Sequence, residues 1–176
     1  MKKVLFASAI FITAFSVKTS AQKSKSHEDE GNKAKFSVAA DLGIPVGNIS
    51  TFSSFAYGGD LQVDYMTSPT FCINLSAGYL GFSAKSGYTI SGGLIPVLAG
   101  FRYWFSPKVY GSGQAGVSFS TSSGGGTAFT YAPGVGFKIG DNFDLLAKYQ
   151  SATKNGGETS YVGVRFAYTF DTKKGN

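Results

Sequence analysis

Residues that commonly act in catalysis or metal binding are scarce in this 176-residue sequence, which contains one histidine, His27, and one cysteine, Cys72. A single cysteine forms neither an intrachain disulfide nor a multi-cysteine zinc or iron–sulfur site. His27 stands beside the acidic residues 28–30, but a polar run with one imidazole rarely forms a defined metal site. We therefore expect no metal site, no cofactor and no catalytic residue.

The absence of a histidine after residue 27 also argues against an enzyme. Hydrolases and acyltransferases usually place a general base, most often histidine, within hydrogen-bond reach of its partner. Gly111, Gly113 and Gly116 match a dinucleotide-binding motif, but that motif requires a helix to follow, and Val117–Ser120 continues as a strand pattern. Cys72 is expected to be a small inward residue.

Eight other charged residues lie in segments where apolar residues alternate with small or polar ones. Their positions are therefore regular along the predicted strands. The chain has 24 Gly, 16 Phe and 10 Tyr and only 15% charged residues, a composition that argues against disorder and against a helical domain. Alternation sends successive side chains to opposite faces of a strand. The predicted strands are Phe36–Pro45, Phe55–Tyr65, Phe71–Phe82, Ile90–Phe105, Lys108–Phe119, Thr127–Ile139, Phe143–Ser151 and Glu158–Phe170.

The connections between these strands alternate in kind. Residues 67–70, 106–107 and 140–142 have tight-turn composition, whereas residues 46–54, 83–89, 120–126 and 152–157 are looser and rich in Gly and Ser. An even number of long strands, joined alternately by short turns and longer loops, is the layout of a bacterial outer-membrane barrel. The predicted fold class is therefore all-β, an eight-stranded antiparallel up-and-down transmembrane barrel. Pro96 and Pro133 lie inside strands, where we expect a bulge or local unpairing.

The two faces of the predicted strands differ in polarity. One face is apolar and carries no charge, as the series Val162, Val164, Phe166, Tyr168 and Phe170 illustrates. The charges within the strands fall on the opposite face, which is the arrangement required by lipid outside and a polar lumen inside. These inward residues are Asp41, Asp60, Asp64, Arg102, Lys138, Asp144, Lys148 and Arg165.

Charges kept from water must be paired and hydrogen-bonded, so four acids and four bases predict a lumen charge network. Because the first and last strands meet when a barrel closes, we expect Arg165 to pair with the Asp41 and Asp60 group. Gln62, Asn74 and Gln114 would complete the network. Eight strands enclose an interior just wide enough for side chains to fill, but a gated ion path through the same charges is the alternative.

Aromatic residues gather beside the tight turns and the C-terminus. In a membrane barrel such residues form an interface girdle at the level of the lipid headgroups. A soluble lipocalin-like barrel would be inverted, with large apolar residues lining a cavity and charges outside. The predicted girdle consists of Tyr65, Phe71, Tyr103, Trp104, Phe105 and Phe143, together with Tyr168 and Phe170. Trp104 is the exception in the alternation, and either points inward or marks a twist at the strand end.

The N-terminus predicts export. Residues 1–21 combine Lys2 and Lys3, an apolar stretch and a closing Thr-Ser-Ala, as in a cleaved signal peptide. Residues 22–35 form a polar mobile arm, residues 36–170 the barrel and residues 171–176 a polar tail. Loss of Lys2, Lys3 and Lys18 with the signal peptide lowers the formal charge from +6 to +3, which weakens any nucleic-acid interpretation.

The closing strand Tyr161–Phe170, YVGVRFAYTF, and the segment Leu94–Phe105, LIPVLAGFRYWF, carry a family resemblance. The chain resembles small outer-membrane barrels of the OmpA/OmpX type and the porin-like outer-membrane β-barrel family abundant in Bacteroidetes-type bacteria. The resemblance implies that Phe166, Tyr168 and Phe170 form the signal read by the barrel assembly machinery of Gram-negative cells. It names no substrate.

These observations lead to one expected function and two alternatives. We expect an integral outer-membrane barrel with a packed polar lumen and a structural or surface-interaction role, without catalysis. The alternatives are a narrow porin-like pore for small ions or solutes, and a soluble lipocalin-like binder. Expected partners are outer-membrane lipid and, during biogenesis, the assembly machinery and periplasmic chaperones. The chain is expected to be a monomer that binds no nucleic acid.

Overall fold

The computed structural model describes residues 34–170, which form a closed barrel of eight antiparallel strands. The first strand pairs with the second and also with the last, so the sheet has no free edge. The fold class predicted from the sequence is confirmed. The strands are β1 Ala34–Val46, β2 Ser53–Ser68, β3 Phe71–Ala84, β4 Leu94–Trp104, β5 Val109–Ser120, β6 Thr127–Ile139, β7 Phe143–Lys154 and β8 Gly157–Phe170.

Strand length follows from the long alternating segments. The strands have 11–16 residues, which is enough for a tilted strand to cross the hydrocarbon layer of a membrane. The only helix in residues 34–170 is the short 3₁₀ helix Gly47–Thr51, and no helix there is long and apolar enough to span a bilayer. The predicted signal peptide, residues 22–33 of the arm and the tail lie outside the described residues. Ala34 and Lys35, assigned to the arm, belong to β1.

The barrel has two distinct ends. The turn end holds the β2–β3, β4–β5 and β6–β7 connections together with Ala34 and Phe170. The loop end holds the other four connections. There β4 begins at Leu94 rather than at the predicted Ile90, because Gly92 has a φ of 85° that interrupts the extended backbone. The backbone N–H of Gly93 donates to Thr121 Oγ1 at 2.6 Å, which ties this loop to its neighbour.

The β7–β8 connection is tighter than the loop predicted for residues 152–157. Only Asn155 and Gly156 separate the strands, with φ angles of 48° and 81°. Two consecutive residues with positive φ form a type I′ hairpin turn, whose twist matches that of the flanking strands. An Asn-Gly pair is the strongest sequence signal for this turn.

Gly156→Ala is expected to lower the free energy of unfolding by about 1 kcal/mol, because a side chain disfavours the left-handed backbone conformation. Gly157→Ala is the matched control, since Gly157 is the next residue but has no positive φ. Denaturant unfolding in lipid vesicles measures both. Equal losses at the two positions would contradict the assigned turn.

Both strand prolines interrupt the sheet on one side only. The β3–β4 ladder lacks the pairs between Ala77↔Val97 and Leu80↔Leu94, beside Pro96. The β6–β7 ladder is interrupted in the same way beside Pro133. The register continues unchanged past each gap, so of the two predicted outcomes the structure shows local unpairing and no bulge at these sites.

The outward face is apolar around the barrel. Many large hydrophobic side chains on this face are 37–68% exposed, an arrangement that fits hydrocarbon rather than water as the surrounding solvent. At the turn end, exposed rings stack in pairs such as Phe36 with Phe170 and Phe71 with Phe101. A second aromatic group, which the sequence analysis did not identify, lies toward the loop end. Its members are Phe55, Tyr57, Tyr79, Phe119, Phe129 and Tyr131.

Candidate functional site: the charged lumen

The centre of the lumen is a two-pronged ion pair between Arg165 on β8 and Asp60 on β2. Arg165 Nε lies 2.8 Å from Asp60 Oδ2, and Arg165 Nη2 lies 2.7 Å from Asp60 Oδ1. The Arg165 side chain is only 2% exposed. Parallel N–H bonds to both carboxylate oxygens give the strongest and most directional form of this contact.

A second ion pair joins Lys148 on β7 to Asp41 on β1. Lys148 Nζ lies 2.7 Å from Asp41 Oδ1. Asp41 stands directly opposite Arg165 in the β1–β8 register. The sequence analysis expected Arg165 to pair with the group of Asp41 and Asp60. Within that group Arg165 pairs with Asp60, while Asp41, its direct neighbour in the register, is paired by Lys148.

Arg102 on β4 connects this centre to the turn end. Its Nη1 atom lies 3.5 Å from Asp64 Oδ2 and 3.5 Å from Asp144 Oδ2. Asp144 Oδ1 also accepts a 2.6 Å hydrogen bond from the hydroxyl of Tyr110 and lies 3.9 Å from Arg165 Nη1. The carboxylates and guanidinium groups therefore alternate along one connected network, which lowers the cost of burying them.

Neutral amides and the cysteine surround the charges. Gln114 Nε2 donates to Asn74 Oδ1 at 2.8 Å, and Gln62 Nε2 donates to Asp64 Oδ1 at 2.7 Å. Cys72 is fully buried in the lumen, where its Sγ lies 3.7 Å from the same Asp64 oxygen. The three amides named from the sequence all face inward and contact this network.

Toward the loop end the lumen contains an apolar cluster. Tyr161 is 1% exposed and packs in a buried cluster with Ala56, Leu80 and Phe82. Tyr161 lies against Gly43 of β1, where a Cβ atom would approach the tyrosine ring to 2.5 Å. The small residues on the neighbouring strand therefore make room for the ring. Tyr110 occupies the equivalent space beside Gly136 nearer the turn end.

Three cavities follow one another along the lumen. The turn-end cavity measures about 510 Å³ and the loop-end cavity about 330 Å³. Between them, the space lined by Asp60, Lys148 and Tyr161 measures only about 10 Å³. A volume of this size holds at most about one water molecule. The side chains at mid-height thus close the barrel.

Two predicted site residues differ from expectation, Lys138 in its pairing and Trp104 in its membership of the girdle. Lys138 faces the lumen and lines the turn-end cavity, but among residues 34–170 it forms no ion pair, because Asp144, its register partner, is engaged by Arg102 and Tyr110. Trp104 is not part of the outer girdle. Its position in the alternation turns it inward, where its ring centroid lies 5.3 Å from that of Tyr110.

The remaining predicted girdle residues lie on the outer surface. Phe105 and Phe143 are 66% and 57% exposed, whereas Phe71 is half-buried. On β8, Phe166 and Phe170 are exposed, and Tyr168 packs edge-on against Phe143 at a centroid distance of 5.0 Å. The three residues predicted to form the assembly signal thus occupy one outward stripe at the end of the last strand.

The sequence analysis missed the importance of Tyr110 and Tyr161 in filling the lumen. Both lie on the inward side of the alternation, and each faces a glycine on an adjacent strand. Recognising this pairing requires the strand register, which the local pattern does not contain. Within the described part of the chain, no three His, Cys, Asp or Glu side chains are grouped to hold a metal ion.

The apolar exterior, the closed sheet and the paired interior charges define a transmembrane β-barrel of eight strands. The sequence matches the family described as outer membrane protein beta-barrel domain over residues 7–170. The chain belongs to this family, and the protein is a small barrel of the outer membrane. A comparison with curated proteins finds no significant match.

Solved structures of low sequence identity share the fold. The chain is similar to Ail of Yersinia pestis in complex with the heparin analogue sucrose octasulfate, with 16% identity, a TM-score of 0.56 and coverage of 79% of this chain and 99% of that one. It is also similar to the N-terminal barrel domain of Pseudomonas aeruginosa OprF, with 15% identity, a TM-score of 0.55 and coverage of 79% and 99%. A de novo designed transmembrane barrel, TMB2.3, matches with 16% identity, a TM-score of 0.53 and coverage of 81% and 98%.

Proposed function

We propose that the protein is a non-catalytic component of the outer membrane with a structural or surface-interaction role. The observation that supports this role is the closed mid-section of the lumen, where paired charges and Tyr161 leave about 10 Å³ of space. A packed interior makes the barrel a rigid anchor that presents its loop end at the membrane surface.

The lack of catalysis is part of the proposal. Asp41, Asp60, Asp64 and Asp144 each contact a cation in the lumen, so they are engaged in structural pairing. No histidine occurs in residues 34–170 to act as a general base. The charged groups thus have a structural role, because each one lowers the cost of burying its partner.

The proposal includes the route to the membrane. Residues 1–21 act as a signal peptide cleaved after Ala21, in a Gram-negative cell of the kind in which porin-family barrels occur. Periplasmic chaperones and the barrel assembly machinery deliver the chain, with Phe166, Tyr168 and Phe170 as the recognised stripe. The mature protein acts as a monomer in contact with outer-membrane lipid and binds no nucleic acid.

Gel migration tests the barrel state. Protein folded in detergent is expected to migrate differently in SDS without and with boiling, because a closed barrel keeps its strands paired until it is heated. Identical migration, together with solubility without detergent, would contradict the membrane assignment and favour the lipocalin-like alternative.

Conductance in planar bilayers tests the proposed role against the pore. The folded protein is expected to give no steady current above the bare bilayer, because the mid-section closes the lumen. A reproducible single-channel step that changes in Asp60→Asn would overturn the structural role. A barrel that shifts on heating yet conducts would contradict only this part of the proposal.

A further inference from the structure

Two of the loop-end connections are fastened to each other. Lys85 in the β3–β4 loop donates from Nζ to the backbone oxygen of Ser50 at 2.7 Å. The backbone N–H of the same lysine donates to the backbone oxygen of Phe52 at 2.9 Å. Both acceptors belong to the β1–β2 loop. The two loops therefore form one connected unit, residues 47–52 and 85–93, which we call the lid.

The lid has a packed side and an exposed side. Ile49, in the 3₁₀ helix, and Ile90 are half-buried and pack against the buried cluster that contains Tyr161. The 3₁₀ helix also contacts β8, the strand that carries this tyrosine. On the other side, Phe52 and Tyr88 are 44% and 49% exposed, and their ring centroids lie 5.2 Å apart. One side of the lid thus covers the apolar cluster of the lumen, and the other side is accessible from outside the barrel.

Tyr161 belongs both to the cluster under the lid and to the constriction at mid-height. It lines the space of about 10 Å³ together with Asp60 and Lys148. Lys148 Nζ lies 5.8 Å from the centroid of the tyrosine ring and 2.7 Å from Asp41 Oδ1. Tyr161 therefore connects the lid to the ion pairs that close the lumen.

The packing around Tyr161 makes the constriction sensitive to the position of the lid. Gly43 leaves room for the ring beside β1 but contributes no side chain to hold it. Ile49 and Ile90 complete the packing of the apolar cluster that includes the ring. Dispersion contacts act only at close range, and a gap of about 1 Å forfeits up to about half of their energy. A displaced lid therefore leaves the cluster loosely packed and the ring free to move.

We propose that the lid controls the closure of the lumen. With the lid in place, Ile49 and Ile90 keep the cluster packed and Tyr161 in the constriction. When a contact at the loop end displaces the lid, the tyrosine leaves the constriction and the lumen opens. A partner produces this change only if it binds the displaced lid more tightly than the closed one. The inference rests on the closed lumen of the proposed function and adds the means of regulating it.

Conductance of the mature protein in planar bilayers tests the lid. The double variant Ile49→Ala with Ile90→Ala is expected to give at least about ten times as many open events as the wild type, because the cluster loses part of its apolar cover. The matched control, Thr51→Ala with Thr89→Ala, changes exposed residues of the same two loops and is expected to behave like the wild type. Equal activity of the two double variants would overturn the proposal.

Tyr161→Ala tests the connection between the lid and the constriction. This variant is expected to conduct, because it removes the ring that fills the mid-section. Adding the two isoleucine changes is expected to raise its activity less than about twofold, since the lid then has no ring to hold. A silent Tyr161→Ala barrel, or isoleucine changes that keep their full effect in it, would show that the lid does not act through this tyrosine.

Trypsin cleavage after Lys85 gives a measurement that is independent of conductance. The lysine is held by its side chain and its backbone, so the bond that follows it is expected to resist cleavage in the folded protein. The isoleucine double variant is expected to be cut at least about ten times faster than the threonine double variant, because its lid opens more often. Equal rates of cleavage would overturn the proposal.

Heat-dependent gel migration shows whether each variant has folded. If the isoleucine double variant does not fold, Lys85→Ala replaces it in the conductance experiment with the same expected increase, because it removes the bond to Ser50 and leaves the cluster unchanged. Steady current through the wild type would contradict the closed lumen of the proposed function. A silent wild type with silent lid variants and a conducting Tyr161→Ala barrel would contradict only the role of the lid.

Discussion

Replacing Asp60 with alanine is expected to destabilise the barrel by about 3–5 kcal/mol, the usual effect of removing one partner from a buried ion pair. Asp60 accepts both hydrogen bonds of the Arg165 fork, at 2.7 and 2.8 Å. Without it, the only remaining ion pair of Arg165 among the described residues is with Asp144 Oδ1 at 3.9 Å. Urea unfolding in lipid vesicles, followed by tryptophan fluorescence, measures the loss.

The double variant Asp60→Ala with Arg165→Met tests the cause. Removing both charges leaves no uncompensated guanidinium, so the double variant is expected to be more stable than Asp60→Ala alone. Lys138→Gln serves as the control for an inward charge without an ion pair in residues 34–170, and a loss below about 1 kcal/mol is expected. If the double variant loses the sum of its two single losses, the ion pair is not the source of stability.

Leu75→Arg is expected to lower stability by about 2–4 kcal/mol, the cost of a charge on the lipid face near the middle of the bilayer. Leu75 lies on β3 midway between Phe71 at the turn end and Tyr79 nearer the loop end, and 57% of it is exposed. In water, an arginine at such an exposed position would cost little. The variant therefore measures the nature of the surrounding solvent.

Ile139→Arg is the matched control for depth. Ile139 is similarly exposed, at 51%, but ends β6 at the turn end, where the expected cost falls to about 0–1 kcal/mol. Vesicle unfolding of both variants gives the comparison. Small and equal losses at the two positions would mean that the outer face does not contact hydrocarbon.

Strand number and face polarity could be predicted from the sequence because both depend on local alternation. Each of the eight predicted strands is present, and all eight predicted inward charges lie on the lumen side. The boundaries were less accurate where the backbone adopts a positive φ. Gly92 delays the start of β4, and the Asn155-Gly156 turn lengthens β7 and β8.

The partners within the lumen could be predicted only in part: barrel closure indicated the Asp41 and Asp60 group for Arg165, but not which of the two it binds. The register places Asp41 opposite Arg165, but direct neighbours on adjacent strands are too close for an extended arginine, which reaches Asp60 on the second strand away. The alternation of the sequence indicated the inward orientation of Trp104, because Trp104 lies between the outward residues Tyr103 and Phe105. No local sequence pattern indicated the pairing of Tyr161 with Gly43.

The sequence by itself therefore determined the class of protein: eight amphipathic strands, an apolar exterior, a charged interior and membership of an outer-membrane barrel family. These properties repeat every second residue and need no knowledge of distant contacts. The tertiary structure decided which charges meet, where the lumen closes and where the turn-end cavity remains. Those features depend on the stagger between strands and on the volumes of side chains from several strands at one height, which no single segment of sequence specifies.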